Sequence, residues 1–389
     1  MIKYQNWYIA IWTVVILLYN FHWSSLNLNL DLGLVVFFLC SFVLMLISSV
    51  TQSKIKPQRL VFLKKRSHFC IVLIGLGFLA DWMYSGGFPF LNQYQGFDPE
   101  HKTDVSVGIP YFHVLLISFA VFYTMYTAYL LASDARNKNI LIDFVVLIFL
   151  FFINSSRGYI TFCIGIYIFS CLCFSGNQIR RMKAKIIPIV TFSIILIVEF
   201  ISAMGNVRSG VAWNDCSYIQ RIAYLWNYPD WISNHFMWTY SYLTSPLANL
   251  NYCFKSFNGV INFTGSLLCF LPEQFSGSFV STIPFQYIVN HLNAVSGFAS
   301  FVCTSGVWGL FMWLIVTFFY FSLIKLFLKK MSVLFTFGNI MLCFLICSTV
   351  FFNFYYTSAL CYIPFYLLLF SFILKKKEGK GELMLINVE

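Results

Sequence analysis

Long apolar runs alternate with short polar segments along almost the whole chain. A helix needs about 20 mostly apolar residues to cross a bilayer. The pattern predicts about ten such spans, near residues 7–23, 30–50, 67–84, 110–132, 139–154, 158–174, 186–204, 305–324, 332–352 and 359–374. The expected architecture is all-α and polytopic. It divides into residues 1–204 with the first seven spans, 205–304 as a large outer loop with amphipathic helices, and 305–389 with the last three spans and a tail.

The cations follow the same alternation. Of the 25 Lys and Arg, all but five lie in the linkers Met1–Asn6, Thr51–Arg66, Ser133–Lys138, Ser175–Lys185, Lys325–Met331 and the tail from Lys375. Short Lys/Arg-rich loops stay cytoplasmic. Both termini are therefore expected inside. The five exceptions are Lys102, Arg157, Arg208, Arg221 and Lys255. Positive-inside sorting does not account for them, which makes them the first functional candidates.

Composition agrees with a membrane chain. Only 10% of the 389 residues are charged and 59% are hydrophobic, whereas about a quarter of a soluble domain is charged. The net charge of +11 sits in membrane-flanking clusters and is no nucleic-acid signal. Trp7–Trp23 has no small-residue cleavage site after it and is expected to be a retained first span. Most of the 12 Cys lie within apolar runs. Cys216, Cys253 and Cys269 fall in the outer loop without motif spacing, which favours free thiols over a bridge. No metal-type His/Cys cluster is present in the sequence, and no cofactor is expected.

The outer segment Gly205–Thr304 is unusual. Loops longer than about 15 residues are functional or disordered, and this one is too aromatic for disorder. It holds four of the ten Trp: Trp213, Trp226, Trp231 and Trp238. Ile219, Ile222, Ala223 and Trp226 share one face of a helix. Ser245-Pro246 reads as an N-cap with Pro at the first helical position. Asn293–Thr304 is small and apolar and is expected to dip toward the bilayer.

Arg157 and Arg208 stand where spans surface, and Arg208 lies in the Gly-rich stretch Gly205-Asn206-Val207-Arg208-Ser209-Gly210. A planar guanidinium matches phosphate oxygens. Headgroup contact is the plainer reading for each. Arg221 joins them as a third candidate; Lys102 and Lys255 have polar neighbours and read as surface. Outer Arg residues over an apolar bundle fit an anionic, membrane-borne ligand such as a lipid diphosphate. Trp213, Tyr224, Trp226, Trp231 and Tyr242 offer faces for sugar rings, and Asn249 an amide for hydroxyls; an interfacial aromatic belt is the plainer alternative. A general base must be His, Asp or Glu near that site. The outer candidates are His291, Asp215 and Glu273, with His235 and Asp230 beside them. Glu199 and Asp143 are carboxylates within spans, expensive to hold in lipid.

The architecture resembles the Wzy-type O-antigen polymerases of bacterial inner membranes, related to the O-antigen ligases. The likeness rests on the span pattern, the large outer loop, and short pieces: Gly86-Gly87-Phe88-Pro89, Gly108-Ile109-Pro110-Tyr111, Asn154-Ser155-Ser156-Arg157-Gly158, Gly205-Asn206-Val207-Arg208 and Tyr242-Leu243-Thr244-Ser245-Pro246. His291-Leu292-Asn293 is similar to a His beside an Asn near the end of the ligases' long loop, but spaced by one residue. The resemblance implies a GT-C-like fold and inverting, metal-independent glycosyl transfer at the periplasmic face. Undecaprenyl-diphosphate-linked oligosaccharides would be donor and acceptor, Arg157 and Arg208 would neutralise the leaving diphosphate, and His291 or a carboxylate such as Asp215 or Glu273 would act as base. A flippase and a chain-length regulator are the implied protein partners. The alternatives are an O-antigen ligase, a lipid-linked oligosaccharide flippase, and a multispan scaffold without chemistry.

Overall fold

The computed structural model describes residues 3–51, 58–62, 68–89, 108–134, 137–154, 157–174, 195, 198–207, 209–280, 283, 285–289, 291–331 and 333–387. The chain is mostly helical. In order come α1 (Tyr4–Asn20), α2 (Leu32–Thr51), β1 (Gln58–Phe62), α3 (Phe69–Tyr84), α4 (Phe112–Ser133), α5 (Lys138–Ile153) and α6 (Arg157–Phe174). A helical stretch at 198–207 leads to α7 (Ser217–Ile222), α8 (Phe236–Lys255), α9 (Phe263–Leu268) and α10 (Glu273–Val280). The chain closes with α11 (Ala299–Met331), α12 (Phe335–Ser348), α13 (Ser358–Cys361), α14 (Ile363–Gly379) and β2 (Leu383–Asn387).

Among the described residues, four helical stretches are long and apolar enough to cross a membrane: Leu32–Val50, Phe112–Ser133, Ala299–Met331 and Ser358–Gly379. Three shorter apolar helices accompany them: Phe69–Tyr84, Gly158–Phe174 and Phe335–Ser348. The expected count of about ten spans is not confirmed among the described residues. The seventh, at 186–204, falls mostly outside the described residues.

α4 is the central post. It is 83% buried over its apolar window, against 39% for each of the other three. That burial explains its aromatic composition, because every face meets another helix. Phe122, Tyr126 and Tyr129 meet Phe337 of α12, and Phe370 of α14 packs on Phe119 and Phe122. Polar side chains pin neighbouring helices. The Tyr8 hydroxyl of α1 donates to Ser41 Oγ of α2 at 3.0 Å, Gln5 donates to Ser48 Oγ at 3.0 Å, and Trp12 Nε1 donates to Thr349 Oγ1 at 3.2 Å.

The linkers gather by charge. β1, from the basic linker after α2, pairs antiparallel with β2 of the tail, Gln58 opposite Asn387 and Phe62 opposite Leu383. Lys375 Nζ donates to the Lys330 carbonyl at 3.2 Å, so the basic ends of α11 and α14 meet as well. The all-α expectation did not include this small sheet, whose strands lie more than 300 residues apart in the sequence. At the other end of the bundle, Ser24 donates to the Ala223 carbonyl, Lys255 to the Asn29 carbonyl, and Asn353 to the Cys269 carbonyl.

The long segment between the helical stretch 198–207 and α11 does not pack as one body. Residues Cys216, Ile219, Ala223, Leu225, Tyr228, Met237, Trp238 and Tyr240 form a small second core. From Leu247 onward, α8, Cys269 and Phe298–Val302 belong to the main core. Asn293–Thr304 does enter the bundle. Phe298 stacks on Trp12 with centroids 5.0 Å apart, and the Gly297 amide donates to the Thr349 carbonyl at 2.7 Å. A Cβ at Gly297 would strike the Phe352 carbonyl, so this close backbone approach requires glycine.

Two local expectations are corrected. The stripe through Trp226 ends early: α7 stops at Ile222, and Tyr224 takes a left-handed φ of 49°. Backbone bonds from Ser25 to the Tyr224 carbonyl and from Asn227 to the Trp23 carbonyl then tie the turn to the linker between α1 and α2. Trp226 is left exposed while Ile219 and Ala223 are buried. Pro246 does not start a helix but lies inside α8. It forgoes the amide that would reach the Tyr242 carbonyl. Buried Met237, Trp238, Tyr240 and Thr244 upstream of it hold the helix together.

Candidate functional site

The second core carries a cleft on its surface. The cleft has a volume of about 430 Å³ and is lined by Asn214, Asp215, Cys216, Ser217, Gln220, Asn234, His235 and Met237. Sequence placed Asp215 here as a base candidate, and Arg221 lies close enough to act on it electrostatically. Trp213 stands beside it, edge-on to the His235 ring with centroids 6.4 Å apart.

Backbone turns fix these groups. The helical stretch 198–207 ends beside Trp238 of α8, whose Nε1 donates to Asn206 Oδ1 at 2.6 Å. Asn206 Nδ2 donates in turn to the Trp213 carbonyl at 2.9 Å. A Cβ at Gly205 would collide with the Trp238 ring. The bare backbone at Gly205 thus makes room for the tryptophan. Tyr218, Trp238 and Tyr242 stack in sequence, so Tyr242 presents one face outward and spends the other on Trp238.

Asp215 has a local task. Its Oδ1 accepts the Ser217 amide at 2.9 Å, just ahead of α7. The Ser217 hydroxyl and amide hold the carboxyl below the usual carboxylate range, and Arg221 adds to this. A carboxylate made less basic in this way is a poor proton acceptor near neutral pH. It remains an anion at the cleft wall.

His235 is better placed. Its Nδ1 is hydrogen-bonded to Glu199 Oε2. A carboxylate partner draws the proton to Nδ1 and leaves Nε2 as an acceptor, the arrangement that orients a general base. The pair is open to solvent, Glu199 being 44% exposed and His235 23%. Sequence named both residues, but separately, and they lie 36 positions apart.

The remaining candidates are dispersed. Glu273 begins α10, where it accepts from Ser358 Oγ at 2.9 Å. It lies within electrostatic reach of Tyr159, two residues along from Arg157. His291 is exposed in the segment before α11 and does not line the cleft. Asn249 is buried and engaged: its amide donates to the carbonyls of Leu292 and Ala294 at 2.7 and 2.8 Å, and accepts from the Ile288 amide at 3.1 Å. It clamps the loop before α11. Trp231, Trp213 and Trp226 are 84%, 61% and 59% exposed, and Tyr224 meets Trp226 edge-on. Arg208 and Lys102 lie outside the described residues, as does the side chain of Arg157. Asp98 does too.

Two further His–carboxylate pairs escaped sequence reading. Asp81 of α3 accepts from His113 Nδ1 at 2.6 Å and from the Ile109 amide at 2.8 Å. Asp143 of α5 meets His68 Nδ1 at 2.7 Å. The available signal was a carboxylate inside an apolar run with a histidine at the end of a neighbouring run.

No family model, curated protein or solved structure matches the chain.

Proposed function

We propose that this chain is a polytopic membrane glycosyltransferase that elongates lipid-diphosphate-linked oligosaccharides on the outer face of a bacterial inner membrane. About ten spans of GT-C-like arrangement, with both termini inside, complete that reading. The observation that carries it is His235, bonded to Glu199 and lining an open cleft, beside exposed Trp213 and within a body rich in exposed aromatic rings. A histidine held by a carboxylate suits proton removal from a hydroxyl, and aromatic faces suit sugar rings.

In the proposed reaction, a hydroxyl of one lipid-linked repeat unit attacks the anomeric carbon of another. The bond from that carbon to the diphosphate oxygen breaks, and the lipid diphosphate leaves. Nε2 of His235 takes the hydroxyl proton. His235 thus replaces His291, Asp215 and Glu273 as the preferred base. Arg208, Arg157 and Arg221 are assigned to the departing diphosphate, where fixed cations stabilise charge that develops in the transition state. Trp213, Trp231 and Trp226 are assigned to sugar faces.

Deletion of the gene followed by glycan gel analysis tests the reading. A polymerase mutant yields lipid A-core bearing one repeat unit. Bare core instead would mark a ligase or a flippase, and an unchanged ladder would remove the function from surface glycans altogether.

A further inference from the structure

The cleft lined by His235 has a chemistry that the proposed reaction leaves unassigned. Three residues with side-chain amides line it from three places: Asn214 ahead of α7, Gln220 within α7, and Asn234 in the turn before α8. Among the described residues, none of these three side chains has a hydrogen-bond partner. Each amide therefore keeps two N–H donors and a carbonyl acceptor uncommitted. Nearby amides are spent on the fold. Asn206 bonds the Trp213 carbonyl and Trp238, and Asn249 clamps the loop before α11.

The charge at the cleft has one sign. Asp215 lines it, with Oδ1 accepting the Ser217 amide at 2.9 Å, and is an anion at neutral pH. Glu199, half-exposed, is bonded to the Nδ1 side of His235. Among the described residues, no Lys or Arg lines the cleft; Arg221 acts on Asp215 from outside the lining. Free amides beside a carboxylate suit a ligand that both donates and accepts hydrogen bonds and carries no negative charge. The hydroxyl and acetamido groups of a sugar ring meet that description. A carboxylate or phosphate on the ligand would face like charge, and a repulsive element of this kind confers specificity. The cleft volume of about 430 Å³ falls among small-molecule sites, about 300–1,000 Å³.

We infer that this cleft seats the terminal sugar of the acceptor, an uncharged pyranoside bearing hydroxyl or acetamido groups, and that Asp215 makes it reject acidic sugars. The inference rests on the glycosyltransferase reading, in which the acceptor presents its hydroxyl to Nε2 of His235. Asn214, Gln220 and Asn234 hold the ring substituents. Trp213, edge-on to His235 with centroids 6.4 Å apart, borders the ring. Asp215 takes no proton in this scheme; it sorts ligands by charge. The donor diphosphate stays outside the cleft, on the Arg residues assigned to it.

The test uses the full chain in detergent and two probes that differ only at C6, methyl glucoside and methyl glucuronoside, titrated by saturation-transfer NMR. The glucoside should bind about tenfold more tightly, a modest factor because charges open to solvent are screened. Asp215→Asn should cut that preference to about twofold by removing the nearer like charge, while still binding the glucoside. Asn234→Ala and Gln220→Ala should each weaken the glucoside by about two- to tenfold, the scale of one hydrogen bond. Equal affinity for the two probes in the wild type would overturn the inference. So would a preference unaltered in Asp215→Asn, glucoside affinity unaltered in both amide variants, or no binding of either probe. Elongation of lipid-linked units in vesicles is read separately. A chain that elongates but binds both probes alike fails the selectivity alone, and a chain that discriminates without elongating fails the transferase reading.

Discussion

Asp81–His113 and Glu199–His235 are chemically the same pair in opposite settings. The Asp81 carboxylate is 2% exposed and both of its oxygens are engaged, one by His113 and one by the Ile109 amide. Gly108, at a φ of 85°, packs its backbone against that carboxylate. Glu199 is half-exposed, and its histidine lines a cleft. The first pair fastens the entry of α4 to the end of α3. The second leaves its carboxylate half-exposed beside a cleft, where the proposed reaction uses its histidine. Residue type alone does not separate a fastener from a proton acceptor; burial and unused capacity do.

That contrast predicts divergent mutants. Asp81→Ala leaves His113 and the Ile109 amide without their acceptor, and breaking a buried pair costs about 3–5 kcal/mol. Thermal unfolding of the detergent-solubilised chain should drop sharply, and any loss of glycan elongation should track the amount of folded protein. Normal folding of this variant would break the comparison. His235→Gln should leave unfolding nearly unchanged, because exposed pairs contribute about 0–1 kcal/mol. Elongation should fall by about 100-fold, the scale of general acid–base catalysis. Glu199→Gln should fold normally and lose about tenfold, since His235 keeps its place but loses the charge that sets its tautomer.

Smaller effects sharpen the cleft itself. Trp213→Ala and Trp231→Ala each remove an exposed ring, and aromatic contacts of this kind contribute about 0.5–1.5 kcal/mol. Each should raise the apparent KM for lipid-linked glycan by about two- to tenfold, measured in vesicles with kcat largely kept. The smallest effect belongs to Asp215. Its folded-state pKa is depressed chiefly by Ser217, so the stability it adds is present above the ordinary carboxylate range. It is lost as pH falls through the depressed value. Asp215→Asn should therefore match the wild type in unfolding at acidic pH and fall slightly below it at pH 7.

Much of the helical scaffold was legible in the apolar runs. α4 was expected from residue 110 and begins at Phe112, because hydrophobic length is a direct consequence of burial or bilayer thickness. Charge also sorted the linkers, since β1 and β2 join two segments that had both been expected at the cytoplasmic face. What escaped depended on tertiary partners. The left-handed turn at Tyr224 follows from bonds to Trp23 and Ser25, and α8 persists through Pro246 because its upstream face is buried. Asn249 reads as a sugar ligand until its loop partners are known. Asp215, Arg221 and Trp213 were recognised as candidates from residue type. The cleft that Asp215 shares with His235, and the union of Glu199 with His235 across 36 positions, arise from the fold.

The most direct test is reconstitution. The purified chain in vesicles receives lipid-diphosphate-linked repeat units, and the lipid-linked products are separated by length. The account predicts a ladder from the wild-type chain and none from a His235→Gln chain with an unchanged melting temperature. A ladder of equal length and rate from His235→Gln, or single units unchanged by the wild type, would contradict it.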